Sequence, residues 1–197
     1  ILDFYVFSAA KYAIEGNMAD KYQAVFGAIF MPTSVINLVA GFVIRPYITK
    51  LSDQWERNAL PEFAGTVGRL AAIIAALTAL AVGGAWILGI PVLSMLYPKI
   101  AYMLRECRLA LAFIILGGAF NAYVNLFYYA LIIMQEQKRI FLGYVGVTAA
   151  ALLISSPCVR AAGLLGGSLS YLLLMAALTA CFGLTSLVMY RRRVRGI

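Results

Sequence analysis

The chain has 197 residues, 63% hydrophobic and 12% charged, with a mean hydropathy of +0.90 and a net charge of +8. A soluble domain is about half apolar and about a quarter charged, so this composition excludes a water-soluble fold and marks an integral membrane protein. There is no histidine, which removes His-based triads and the commonest metal ligand. The cysteines Cys107, Cys158 and Cys181 stand apart, with no metal-binding or disulfide spacing.

In chain order, six apolar segments approach the ~20 residues that a spanning helix needs. They are Ile1 to about Glu15, Tyr22 to Ile48, Leu70 to about Leu93, Leu109 to Met134, Ile140 to about Val159, and Ala162 to Tyr190. None alternates with period 2, so the fold class is all-α: a polytopic membrane bundle of about six helices forming one domain over 1–197. The opening "ILDFYVFSAA" has no initiator Met and no basic n-region, and reads as the inside of a helix belonging to a longer protein.

Pro32 predicts a kink or break in the second segment. The connection at 49–69 repeats Leu51, Trp55, Ala59, Phe63 and Val67 every four residues. It reads either as an amphipathic helix on the inner membrane surface, with Trp55 at headgroup depth and Pro61 as a break, or as a solvated loop helix. "GIPVLSMLYPK" (89–99) predicts a turn at the outer interface, with Tyr97 and Tyr102 in the aromatic belt. The chain closes on a basic tail, 191–197.

The positive charge reads as topology and headgroup contact rather than nucleic-acid binding. With the tail inside, alternation puts Arg45, Lys50, Arg57, Arg69, Lys138, Arg139, Arg191, Arg192, Arg193 and Arg195 inside. Lys11, Lys21, Lys99, Arg105, Arg108 and Arg160 then lie outside, ten against six. That is the direction the positive-inside rule expects.

Polar residues within the spans are the candidate functional groups. Asn121 and Asn125 share a helix face, with Gly118, Tyr128 and Tyr129 on or near it, while Phe120, Val124, Phe127 and Leu131 point elsewhere, to lipid or to neighbouring helices. This stripe either lines a hydrated cavity or glues helices together through close glycine contacts and asparagine hydrogen bonds. Asp3 lies in the first segment. Lys11 either pairs with Glu15 one turn on or faces a cavity and attracts an anion. Arg45 is a snorkelling anchor or a cavity cation, and Asn37 lies one and a half turns beyond Pro32. Glu106 and Glu136 stand alone, there is no nucleotide-binding motif, and no cofactor is expected; the chain reads as a non-enzyme.

"SAAKYAIEGNMADKYQAVFGAIFMPTSVINLVAGFVIRPYITKLSDQW", "GIPVLSMLYPKIAYMLRECRLALAFIILGGAFNAYVNLFYYALIIMQEQKRIFLGYV" and "AAGLLGGSLSYLLLM" follow one another in an order and spacing that resembles the C-terminal half of bacterial polysaccharide flippases. These belong to the multidrug/oligosaccharidyl-lipid/polysaccharide exporter superfamily. The resemblance implies one bundle of a two-bundle, inverted-V transporter in the bacterial plasma membrane, whose missing N-terminal bundle would be its partner. Such a transporter moves undecaprenyl-diphosphate-linked glycans by alternating access. By resemblance Lys11 occupies a basic position able to meet the lipid diphosphate. A multidrug exporter of the same superfamily and a membrane-embedded glycan polymerase or transferase are the competing readings.

Overall fold

The computed structural model describes residues 2–104 and 107–195, except for the side chains of Leu2, Asp3, Leu88, Ile90 and Lys99. The side chains of Asp3, Lys99, Arg105 and Glu106, singled out above, therefore lie outside the described residues. Among the described residues there is no strand, and the chain is an all-α bundle.

Helix α1 is Leu2–Asn17 and α2 is Asp20–Ile44. A 3-10 turn, Arg45–Tyr47, leads into α3, Ile48–Glu56, and then α4, Leu60–Gly84. A π turn over Ala85–Gly89 continues into α5, Ile90–Leu96, followed by the short α6, Ala101–Leu104, and α7, Arg108–Ile133. The remaining helical stretch, Gln137–Val194, is interrupted at Ala162 (φ −135°, ψ 16°) and Gly163 (φ 56°, ψ −130°). That interruption reverses the chain. The Tyr144 and Phe182 rings meet edge to face at 5.2 Å, although 38 residues of straight helix would hold them roughly 57 Å apart. Closer to the turn, a Cβ at Gly166 would lie 1.8 Å from the Cys158 carbonyl oxygen. The two contacts are centred on Gly163 and Ala162, so the stretch is an antiparallel hairpin of α8 (137–161) and α9 (164–194). Gly163 adopts a backbone that only glycine takes without strain.

Among the described residues four helical stretches are long and apolar enough to cross a membrane, and the last of them contains both arms of this hairpin. This is a membrane protein. With α1, whose 16 residues reach about 24 Å, the bundle has six arms, at the places the hydropathy pattern gives.

Helix α7 is the hub. It packs on α2, α4 and the α8–α9 hairpin, and it is mostly buried where α4 is mostly exposed. Two glycines explain the close approach. A Cβ at Gly117 would lie 2.6 Å from the Tyr171 ring, and one at Gly118 would lie 2.8 Å from the Thr33 methyl. Three hydroxyls complete the helix–helix contacts: Thr33 Oγ1 donates to the Ile114 carbonyl (3.2 Å), Thr179 Oγ1 to Phe120 (2.9 Å), and Tyr123 to Ala71 (3.0 Å). In lipid, small residues and such hydroxyls replace the hydrophobic effect as the force between helices. A Phe7–Phe30–Tyr171 ring cluster seats α1 against α2 and α9.

Two features differ from the sequence pattern. Helix α2 runs unbroken through Pro32. The 49–69 connection divides: α3 ends at Glu56, Asn58 turns the chain at φ 59°, and 60–69 forms the first turns of α4 with Pro61 at its start. The Ala59 N–H bonding back to the Gln54 carbonyl (2.9 Å) closes that end. The four-residue stripe faces protein, with Leu51, Trp55 and Phe63 buried. Trp55 is therefore buried against protein, 7% exposed, rather than turned out to the headgroups. It packs on Phe63 at 5.2 Å and under the Arg193 guanidinium at 4.4 Å. Arg193 also donates to Asn58 Oδ1 and to the Trp55 carbonyl, each at 3.2 Å, so the basic tail is helical through Val194 and docked on α3.

Candidate functional site

The six polar candidates divide into two groups. Contacts fix the register. Gly118 faces Thr33, so the parallel helices α2 and α7 are level there, and Gly117 faces Tyr171 of α9. At 100° per residue, Asn121 lies on the Gly117 side of the Gly118 direction, whereas Ala122 lies on the other side. Ala122 lines a pocket towards α4 together with Ile36, Ala40 and Thr78. On α2, Ile36 and Ala40 take that same α4 side of Thr33, and Asn37 takes the opposite side. Asn37 and Asn121 therefore both turn to the α9 side of the α2–α7 contact, and Asn125 and Tyr128 continue the strip one and two turns further along α7.

None of the three amides makes a hydrogen bond with a protein group among the described residues. Asn37 Oδ1 is fully buried without a partner, Asn121 is 8% exposed, and Asn125 is half-buried. Asparagines that act as interhelical glue would bond a neighbouring helix; here hydroxyls of Thr33, Thr179 and Tyr123 make those bonds instead. The helix face expected to suit lipid or neighbours meets neighbours at Val124 and Leu131, 1% and 0% exposed. Tyr128 stands edge to face with Tyr129 at 5.7 Å.

Lys11 and Arg45 lie apart from this strip and from each other. Phe7 is level with Phe30 and Tyr171, so Lys11 sits roughly 16 Å from the Asn37 level along the bundle axis. Lys11 is exposed and makes no ion pair with Glu15; the ion pairs among the described residues join Arg57 to Asp53 and Arg139 to Glu136. Arg45 is exposed in the 3-10 turn that ends α2.

On the α4 side of α2 a lateral cavity of ≈ 490 Å³ opens between α2, α4, α5 and α7. Met31, Pro32, Ile36, Leu80, Leu93 and Ile115 are among its apolar walls. At one end of the bundle, Asn17 accepts from Arg160 Nε (2.8 Å) and donates to Ser156 (3.1 Å), tying α1 to the α8–α9 turn. At the other end lie Arg45, Lys50, Arg57, Lys138, Arg139 and the terminal arginines, brought together by the docking of Arg193 on α3. Sequence periodicity carries no signal for the lateral cavity, the hydroxyl bonds or the Arg160–Asn17 link, which depend on which helices become neighbours. No family model, no curated protein sequence and no solved structure matches this chain.

Proposed function

We propose that this chain forms one bundle of a membrane transporter that moves polyprenyl-diphosphate-linked oligosaccharide across the bacterial plasma membrane for cell-surface polysaccharide biosynthesis. In this reading a second bundle completes the pathway, and the basic end, with the C-terminus, faces the cytoplasm. The observation that carries the reading is the amide strip on the α9 side of the α2–α7 contact. Asn37, Asn121 and Asn125 lie along it with hydrogen-bonding capacity that the protein leaves unused. A buried amide oxygen without a partner costs about 1–3 kcal/mol, so a strip that keeps Asn37 Oδ1 in that state beside the unbonded Asn121 and Asn125 is suited to a ligand rich in hydroxyls.

The remaining parts fit the same substrate. A glycan diphosphate cannot shed its water into hydrocarbon, so its head needs a polar route, and the unpaired Lys11 offers an opposite charge. Its polyprenyl chain is apolar, and the lateral cavity offers an apolar wall that opens sideways. Rocking of one bundle against another around such a route is the general mechanism of alternating access.

The test is native mass spectrometry of the protein with a short-sugar polyprenyl-diphosphate, alongside the same lipid without sugar. Binding of the glycosylated lipid should exceed that of the bare lipid. The Asn121→Leu/Asn125→Leu variant should remove that excess while leaving the bare lipid bound. Equal retention of both lipids by the unaltered protein would sink the glycan reading.

A further inference from the structure

A second polar pocket, ≈ 290 Å³, lies between α3 and the first turns of α4, at the basic end of the bundle and away from the amide strip. Its lining is Lys50 and Gln54 on α3 and Glu62, Gly65, Thr66 and Arg69 on α4. Gln54 and Lys50 are one turn apart on α3, and Glu62, Gly65, Thr66 and Arg69 follow the i, i+3, i+4, i+7 rule, so each helix gives one face to the pocket. Gln54 is 3% exposed and its Oε1 is buried without a hydrogen bond. Lys50, Glu62 and Arg69 make no ion pair and no side-chain hydrogen bond among the described residues. The protein thus leaves two cations, a carboxylate and a buried acceptor unmatched around one space.

Their order along the pocket is informative. The chain folds back at Arg57–Ala59, and the Trp55–Phe63 ring contact holds the two helices together there. Gln54 and Glu62, four residues to either side of Asn58, stand at the turn end. Lys50 and Arg69 stand further from the turn. Arg69 immediately precedes the apolar run from Leu70 to Ile87, whose 18 residues rise about 27 Å, close to the ~30 Å hydrocarbon thickness. Arg69 is therefore at the hydrocarbon boundary, and Glu62 lies seven residues, roughly 10 Å, further towards water.

We propose that this pocket binds the headgroup of an aminophospholipid from the surrounding leaflet. A phospholipid places its phosphate next to the acyl region and its amine further out, which is the order of the cations and the acceptors here. Lys50, Arg69 and the Thr66 hydroxyl take the phosphate diester; Gln54 Oε1 and the Glu62 carboxylate accept from the primary ammonium. A choline headgroup has no N–H to give Gln54, and a glycerol headgroup has no cation for Glu62. Gly65 leaves the floor open, since a Cβ there would meet nothing within 4 Å.

The experiment is native mass spectrometry of the protein released from vesicles of equimolar phosphatidylethanolamine, phosphatidylglycerol and phosphatidylcholine. Phosphatidylethanolamine should be retained about tenfold over either competitor. Gly65→Leu sends a side chain into the pocket from a Cβ position with open space around it, and should abolish retention while the protein stays folded by circular dichroism. Glu62→Gln should erase the preference for ethanolamine over glycerol, and Lys138→Gln, elsewhere at the basic end, should change nothing. Retention that survives Gly65→Leu, or a preference for phosphatidylglycerol in the unaltered protein, overturns the proposal. Inorganic phosphate added to the same sample separates the two sources of anion: displacement of the lipid by phosphate would make this a free-anion site and would also overturn it.

Discussion

Helices α4 and α7 are nearly equal in length and both strongly apolar. Yet α7 is mostly buried in protein and α4 mostly exposed. In water two helices this apolar would both be drawn to the centre. In lipid, apolar surface is satisfied anywhere, and the central place goes to the helix that offers close approach and hydrogen bonds. Helix α7 has Gly117 and Gly118 filled by Tyr171 and Thr33, and three hydroxyl bonds to, from or across its backbone. Helix α4 carries Gly83 and Gly84 too, but nothing lies within 4 Å of where their Cβ atoms would be. Its Thr78 hydroxyl turns back to the Ile74 carbonyl of its own helix. The same residue types therefore have opposite consequences on the two helices.

The strongest way to break this comparison is to add a methyl where packing forbids it. Gly166→Ala in the α8–α9 turn drives Cβ into the Cys158 carbonyl. Backbone cannot yield as a side chain does, so a loss of about 3 kcal/mol is expected, at the upper end of overpacking costs. Thermal unfolding in detergent should show it as a large fall in midpoint. Trp55→Ala removes the ring sandwiched by Phe63 and Arg193 and should cost about 3 kcal/mol, with the Arg193 tail becoming susceptible to trypsin. An unaltered midpoint and cleavage pattern would mean that the tail is not docked.

Smaller changes sharpen the contrast. Thr33→Val keeps the shape but loses the buried bond to Ile114, and should cost about 1 kcal/mol, whereas Thr78→Val on α4 should be close to neutral. Comparable losses at the two sites would refute the hub assignment of α7. The smallest effect has the opposite sign. Gly83→Ala places a methyl in open space and improves helix propensity, so a gain of up to about 1 kcal/mol is expected in the same unfolding measurement. Destabilisation there would show that α4 packs against something along that face.

The sequence was most legible where one physical rule dominates. The six apolar arms follow from hydropathy and length, and the α8–α9 break, at Ala162–Gly163, falls within a few residues of the gap between the two last apolar runs. The 49–69 connection was half legible. Its four-residue stripe is real, but the same period serves a surface helix and the start of a spanning one, and only the Asn58 turn separates them. The candidate site was legible as a stripe on α7, since Asn121, Asn125 and Tyr128 share a strip by spacing alone. That Asn37 joins them and Lys11 does not depends on which helices lie side by side.

Composition and periodicity by themselves determined the membrane environment, the all-helical class and the number of arms, because lipid forces every backbone group into intrahelical bonds and sets the length of each run. The tertiary structure decided which helix is central, where Trp55 and Arg193 meet, and which polar groups are left without partners. Those outcomes turn on contacts a few ångströms across between residues far apart in the chain. In a bundle where nearly every residue is apolar, hydropathy cannot rank such contacts.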